Sequence, residues 1–144
     1  MKLNQKNSKR WTGLASLLLA SAAGLSVHAA MPDMLKLTGE QEVPPVKTLA
    51  SGSGMLAVAA DGSISGNITT AGLAGTMAHV HMGALGANGP VIITLIKTTD
   101  TVWSVPQDAK LSAEQLVGYR AGRLYVNVHT EANKGGEIRA QLTP

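Results

Sequence analysis

Apolar and polar positions alternate with a period of two along most of the chain beyond its first 30 residues. This alternation is typical of β-strands that bury one face and leave the other face polar. It breaks at glycine- and proline-rich segments, which predict the turns between strands. The predicted strands are 34–38, 54–60, 63–69, 76–82, 91–97, 122–130 and 136–143. Short strands separated by turns in this way predict an antiparallel β-sandwich.

Two segments depart from the alternation. Residues 39–46 contain two consecutive prolines, which lack an N–H donor, so this segment is predicted to be an edge or a loop. Ser112 and Gln115 have the spacing of a capping box, and Gly122 suits the position just beyond a helix end. We therefore predict one short helix over residues 113–120.

The first 29 residues have the layout of a secretory signal peptide. Four basic residues precede an apolar run over 14–25, and small residues follow up to Ala29. The run is shorter than the roughly 20 residues that a spanning helix needs. We expect cleavage after Ala29, a mature domain over 30–144 without a stable membrane span, and a periplasmic or secreted location. An uncleaved membrane anchor is the alternative.

Charge and cysteine content narrow the choice of partners. The chain has 12 basic and 9 acidic residues. Four of the basic residues and none of the acidic residues lie in the leader. The mature part therefore has 8 basic and 9 acidic residues, a net charge of −1. A near-neutral domain lacks the basic surface that phosphate binding requires, which argues against nucleic acid. There is no cysteine, so an exported domain of this sequence depends on its apolar core rather than on disulfides.

The alternation places histidines on the polar faces of two predicted strands. In strand 76–82, Ala78 and Val80 occupy the apolar face, so His79 and His81 lie on the opposite face. His129 lies on the polar face of strand 122–130, and the mature domain contains no other histidine. The three rings are therefore predicted to be outer side chains rather than core residues.

Three imidazoles on one face suit a zinc, copper or nickel ion. The Cα atoms of His79 and His81 are expected roughly 6.5–7 Å apart, which lets both rings lean toward one ion, and His129 could supply a third nitrogen. Copper is our first choice, because it binds nitrogen ligands most tightly among these ions, and zinc is the second. The Met77 thioether could add a soft ligand. The ordinary alternatives are solvated surface histidines and a methionine that covers the sheet.

Three other residues share the polar face with the histidines. Tyr125 and Asn127 could fix the tautomer of a histidine ring, or could form ordinary cross-strand pairs. In the simplest interpretation, Arg139 on the last strand forms an ordinary ion pair with Glu137 or Glu131.

Two carboxylates precede the prolines of segment 39–46. We discount them as a catalytic pair because no acid–base partner lies near them in sequence. These two carboxylates are Glu40 and Glu42.

Three stretches in this order resemble the CHRD (chordin-type) domain family. They are LTGEQEVPPVKTLASGSG, AHVHMGALGANGPVIITL and GRLYVNVHTEANKGGEIRAQLTP, and the resemblance covers about residues 34 to 144. It implies an exported immunoglobulin-like β-sandwich and leaves the biochemical role open.

A weaker, local resemblance concerns the copper half of copper–zinc superoxide dismutase, a Greek-key β-barrel. It implies that His79, His81 and His129 are copper ligands and that Arg139 matches an arginine that guides superoxide. The bridging histidine, the zinc histidines and the disulfide have no counterpart, so the resemblance implies a lone copper site. The expected fold is thus all-β, an antiparallel Greek-key sandwich of immunoglobulin-like or superoxide-dismutase-like type with one short helix.

These observations support three functional hypotheses. The first is an exported protein that binds copper through three histidines for binding, storage or transfer. The second is a metal-free structural domain that binds another exported protein. The third is weak superoxide dismutation, although nucleophile, P-loop and dinucleotide motifs are absent and we expect a binding protein rather than an enzyme.

Overall fold

The computed structural model describes residues 33–144, together with the isolated position Lys2. The predicted signal peptide and its cleavage site lie outside the described residues. Within them, no helix combines the length and the apolar character needed to cross a membrane.

The described chain forms nine strands, one α-helix and one short 3-10 turn. The strands are β1 Leu35–Thr38, β2 Ser51–Val58, β3 Ile64–Ala71, β4 Gly75–Met82, β5 Val91–Thr94, β6 Ile96–Lys97, β7 Val102–Ser104, β8 Leu124–Thr130 and β9 Ile138–Leu142. The helix α1 is Ala113–Arg120, and the 3-10 turn is Gly39–Gln41. Every strand pairing is antiparallel, which confirms the all-β class with one short helix.

The sheet nearly closes on itself. Its strand order is β5-β4-β8-β9-β1-β2-β3-β7-β6, and the two outermost strands follow each other in the chain with only Leu95 between them. The single strand predicted over 91–97 is therefore two strands, since its first half pairs with β4 and its second half with β7. The Leu95 amide donates to the Ala78 carbonyl at 2.9 Å, which holds the crossing point against β4.

The helix prediction is confirmed in both position and mechanism. Ser112 Oγ accepts a hydrogen bond from the Gln115 amide at 3.2 Å, and Gln115 Oε1 accepts one from the Ser112 amide at 2.9 Å. This reciprocal capping box satisfies two backbone donors at the helix start. Strand β7 was not predicted, because three residues are too few to display an alternating pattern, although its Trp103 is only 2% exposed.

The apolar faces of the strands form one core. Leu37, Ile68, Val80, Val126 and Ile138 are all fully buried in it. Burial of each such side chain stabilises the fold by roughly 1.5–3 kcal/mol before the entropic cost of ordering it. The core holds the apolar faces of β4 and β8 in place. The polar side chains on the other face of these two strands are therefore held at fixed positions relative to each other.

The opposite face of β4 and β8 is polar, as predicted, but much of it is covered. All residues of β8 are buried on both faces, including Tyr125 at 2%, Asn127 at 2% and His129 at 6% exposure. Loops 83–90 and 131–136 contribute carbonyls that contact this face, and segment 39–46 contacts loop 83–90 in turn. The histidines thus point away from the core, as expected, into a second polar interior rather than into open solvent.

Candidate metal site

The pairing of β4 with β8 brings the three histidines together. The strands are antiparallel, with His79 opposite Asn127, His81 opposite Tyr125, and Met77 opposite His129. Side chains at facing and diagonal positions of one sheet face lie within reach of each other. The register therefore supplies the neighbour relation that the sequence alone left open.

One nitrogen from each of His79, His81 and His129 lies within 4.8 Å of the others. The closest pair is His79 Nδ1 and His129 Nε2, at 2.9 Å. The ring centroids of His79 and His81 are 5.6 Å apart, and those of His81 and His129 are 6.1 Å apart. The closest nitrogen pair is thus tighter, and the group of three looser, than the separation of roughly 3.3–3.6 Å between ligands that share one ion.

Backbone carbonyls fix the orientation of two rings. His81 Nδ1 donates to the Gly89 carbonyl and His129 Nδ1 donates to the Lys134 carbonyl, each at 2.9 Å. A carbonyl oxygen only accepts, so the proton of each neutral ring lies on Nδ1 and the lone pair lies on Nε2. The His81 Nε2 atom is buried and has no hydrogen-bond partner among the described residues. Neutral nitrogens with free lone pairs are the form of histidine that binds metals.

Burial keeps two of the imidazoles neutral. Burial, followed by repulsion from His129 and His81, lowers the pKa of His79 from 6.5 to about 4. Burial also lowers the pKa of His81, with repulsion from His129 and Arg139 adding to the effect, and the hydrogen bond to the Gly89 carbonyl and the nearby Asn127 side chain opposing it. At neutral pH, protons therefore compete weakly for these two rings.

The glycines after the His-x-His pair allow a loop to close against the strand. A Cβ atom at Gly89 would collide with the Met82 carbonyl oxygen, so only glycine permits this approach. The Gly89 amide donates to the Tyr125 hydroxyl at 3.2 Å while its carbonyl accepts from His81. The Asn88 side chain donates to the Val43 carbonyl at 2.6 Å, which ties the loop to segment 39–46.

Tyr125 lies between a histidine and an arginine. Its ring stacks on that of His81, with centroids 4.7 Å apart and planes 3° apart. The Arg139 guanidinium carbon lies 3.4 Å from the Tyr125 centroid. Tyr125 therefore contacts His81 as a stacking partner.

Arg139 has different surroundings from those predicted. It is 1% exposed, and its guanidinium donates to the Ala87 carbonyl at 2.9 Å and to Asn88 Oδ1 at 3.2 Å. A buried guanidinium engaged with loop carbonyls is poorly placed to guide an anion from solvent. The acids expected as its partners interact elsewhere, since Glu137 accepts from Thr48, Thr130 and Asn133 and Glu131 pairs with Lys134.

Met77 lies beside the imidazoles and remains accessible. It is opposite His129 in the register and is 48% exposed, so its thioether can either bind an ion or cover the sheet. Asn127 is buried among the histidines and donates to the Gly135 carbonyl at 3.3 Å.

Sequence reasoning did not identify Glu42 as a buried neighbour of Asn127. Glu42 is 4% exposed, and a Cβ atom at Gly136 would collide with both Glu42 Oε1 and Asn127 Nδ2. Glu42 lies outside any strand, so alternation carried no information about where its side chain points. The one available signal was a carboxylate within a proline-rich loop, where functional residues are often found.

Comparison with known proteins gives one match. A family model described as CHRD domain matches residues 35–142, nearly all of the described chain. No curated protein and no solved structure matches this chain.

Proposed function

Because the chain belongs to the CHRD domain family and its three imidazoles converge, we propose that it is an exported copper-binding protein. In this proposal His79, His81 and His129 hold the ion, and the protein acts in copper binding, storage or transfer in the periplasm or outside the cell. The predicted signal peptide supports export, and the absence of cysteine does not oppose it, since a disulfide-free core tolerates either redox environment.

One observation carries the proposal: a nitrogen from each of the three rings lies within 4.8 Å of the others. An ion held at roughly 2.0–2.1 Å from each nitrogen needs ligand separations of roughly 3.3–3.6 Å. The facing nitrogens of His79 and His129 are slightly closer than this, at 2.9 Å. The His81 ring lies farther from both, within the 4.8 Å limit of the group. Small ring rotations would bring all three into range, and His79 would move its proton from Nδ1 to Nε2 to free the facing nitrogen.

Copper is preferred over zinc for two reasons. Cupric ion binds nitrogen ligands more tightly than the other divalent first-row ions, and an adjacent thioether favours the cuprous state. Met77 is that thioether, and its 48% exposure leaves it free to approach an ion. Zinc remains the second choice, since three histidines with one open position also suit it.

Cupric titration followed by electron paramagnetic resonance tests the proposal. We expect one equivalent of Cu²⁺ to give a spectrum with nitrogen hyperfine structure, and the double variant His81→Ala/His129→Ala to lose it. Spectra unchanged in that variant would rule out the site.

Met77→Leu is expected to weaken cuprous binding while leaving cupric binding nearly intact. Met55→Leu, which changes a 37%-exposed methionine on β2, is its matched control.

A metal-free protein-interaction domain is the function that remains if no ion binds. Dismutation of superoxide is not part of the proposal, because the burial of Arg139 removes the residue that suggested anion guidance. A dismutation rate of the copper-loaded protein no higher than that of free copper is therefore expected.

A further inference from the structure

Loop 83–90 contains a chemically labile pair of residues, Asn88 and Gly89. An asparagine loses its side-chain ammonia when the backbone nitrogen of the next residue attacks its Cγ atom. The attack is easiest when that next residue is glycine, which has no side chain to hinder it. Asn88 is the only asparagine in the chain that precedes a glycine, and its side chain is exposed. The pair is therefore a candidate site of deamidation.

The packing of the loop requires the glycine of this pair. A Cβ atom at Gly89 would collide with the Met82 carbonyl oxygen, so the loop can close against β4 only without a side chain at this position. The same closure brings the Gly89 carbonyl to His81 Nδ1 at 2.9 Å, and the Met82 amide donates to the Pro90 carbonyl at 3.0 Å. The labile pair is thus a consequence of the way the loop covers the strand.

Both ends of the Asn88 side chain are held in the closed loop. Its Nδ2 atom donates to the Val43 carbonyl at 2.6 Å, and its Oδ1 atom accepts from Arg139 at 3.2 Å. Val43 belongs to segment 39–46 and Arg139 to β9, so two separate parts of the chain hold one amide. Attack on Cγ requires this amide to rotate toward the Gly89 nitrogen, and the rotation would break both hydrogen bonds.

The attacking nitrogen is also held. The Gly89 amide donates to the Tyr125 hydroxyl at 3.2 Å. Tyr125 is 2% exposed and lies between His81 and Arg139, so its hydroxyl cannot follow a moving loop. To attack, the Gly89 nitrogen must lose its proton and turn its lone pair toward Cγ, and the bond to Tyr125 opposes both changes.

We propose that Asn88 is a latent deamidation site that reacts when loop 83–90 opens. In the open loop, the Gly89 nitrogen loses its proton and forms a bond to Asn88 Cγ. The bond from Cγ to Nδ2 breaks, and ammonia leaves with that proton. Water then opens the resulting five-membered succinimide at one of its two carbonyls, which gives aspartate or isoaspartate at position 88. Water is the only co-reactant, and no group is oxidised or reduced.

Either product prevents the loop from closing as before. An aspartate places an acceptor where Asn88 Nδ2 donates, so two oxygens would face each other at the Val43 carbonyl. An isoaspartate adds one methylene to the backbone ahead of Gly89, which displaces the Gly89 carbonyl from His81 Nδ1. The reaction therefore makes a transient opening permanent and frees the His81 ring. This inference concerns the metal-free protein and does not depend on the proposed function.

The test follows the gain of one mass unit in the peptide that contains Asn88, by mass spectrometry during incubation at mildly alkaline pH. We expect the folded protein to react at least about tenfold more slowly than the same protein in urea, because only the open loop reacts. Equal rates in the two conditions would overturn the proposal. Asn88→Gln should abolish the gain in this peptide, and a gain that persists there would place the reaction at another residue.

Tyr125→Phe tests the restraint on the attacking nitrogen. It keeps the ring that stacks on His81 and removes the hydroxyl that accepts from Gly89. We expect deamidation of the folded variant to accelerate by about two- to tenfold, the factor that corresponds to the loss of one hydrogen bond. Tyr119→Phe is the matched control, since the Tyr119 hydroxyl donates to the Thr143 carbonyl instead, and it should keep the wild-type rate. A wild-type rate in folded Tyr125→Phe would contradict this restraint.

Arg139→Lys tests the restraint on the side chain. It keeps the positive charge and removes the guanidinium that donates to Asn88 Oδ1. We expect faster deamidation here as well, and a wild-type rate in Arg123→Lys, which changes an exposed arginine. An unchanged rate in folded Arg139→Lys would show that Arg139 does not restrain the amide. The comparison of folded and urea-treated wild type needs no variant, so it decides the proposal even if neither substituted protein folds.

Discussion

At the scale of single residues, the site depends on glycines that let polar side chains approach each other. Gly136 and Gly135 are adjacent in the turn before β9, yet they have opposite surroundings. An added Cβ at Gly136 meets Glu42 and Asn127, whereas one at Gly135 meets nothing within 4 Å. This pair separates the combined effect of crowding and of the positive φ at Gly136 from the general effect of stiffening the turn.

Gly136→Ala is expected to destabilise the protein and to disturb the imidazoles. The substitution forces a side chain into a φ of +128° and against two buried polar groups, and we expect a loss of about 2–4 kcal/mol in the free energy of unfolding. Urea unfolding measures this loss. Gly135→Ala should stay within about 0.5 kcal/mol of the wild type. Equal effects of the two substitutions would contradict a cost from either the contact with Glu42 and Asn127 or the positive φ.

The depressed pKa of His79 predicts how stability depends on pH. The folded-state pKa of about 4 lies below the unfolded value of 6.5, so the unfolded chain binds more protons between these values. The contribution of His79 is therefore fully present above pH 6.5 and is lost as the pH falls toward 4. Urea unfolding of the metal-free protein at a series of pH values should show this decline, and His79→Gln should make it shallower. An identical slope in His79→Gln would contradict the assignment to His79.

At the scale of elements, Arg139 links β9 to the loop that orients His81. Its guanidinium donates to the carbonyls of loop 83–90, and Gln141 on the same strand donates to the Gly83 carbonyl at 3.0 Å. This loop supplies the Gly89 carbonyl that fixes the His81 tautomer. A strand two positions away from β4 in the sheet thus controls a ring on β4.

Arg139→Gln is expected to release loop 83–90. Several buried carbonyls would lose a charged donor, at a cost of about 2–4 kcal/mol in the free energy of unfolding. Amide hydrogen exchange within the loop, including the Gly89 amide, should accelerate more than exchange in β2 and β3. Arg123→Gln, which changes an exposed arginine just before β8, is the control and should leave loop exchange unchanged. Unaltered protection in Arg139→Gln would mean that the loop is held by other contacts.

The elements also show which features the sequence could predict. Alternation located the strands that carry the histidines and their orientation away from the core, because side-chain direction on a strand follows from local geometry. It could not place Arg139 against Tyr125 or Glu42 against Gly136. Those contacts depend on loops that fold back over the sheet, and loop paths are set by non-local packing. Alternation therefore identified the three imidazoles, and only the structure revealed the groups that surround them.

At the scale of the whole molecule, closure of the sheet ties the site to global stability. Segment 91–97 pairs with β4 through its first half and with β7 through its second half, so the strand bearing two histidines is held on both sides. No disulfide reinforces this arrangement, since the chain lacks cysteine. Anything that binds across β4 and β8 in the folded state should therefore stabilise the entire domain.

Copper should raise the thermal stability of the domain by mass action. A ligand that binds only the folded state at 100 times its Kd adds about 2.7 kcal/mol to the free energy of unfolding, which for a domain of this size raises Tm by several degrees. Calorimetry of the wild type with and without Cu²⁺ measures this shift. His81→Ala/His129→Ala should show none of it, because two of the three converging nitrogens are removed. A decrease in Tm on adding Cu²⁺ to the wild type would mean that the ion prefers the unfolded chain, and the three imidazoles would then not form a native binding site.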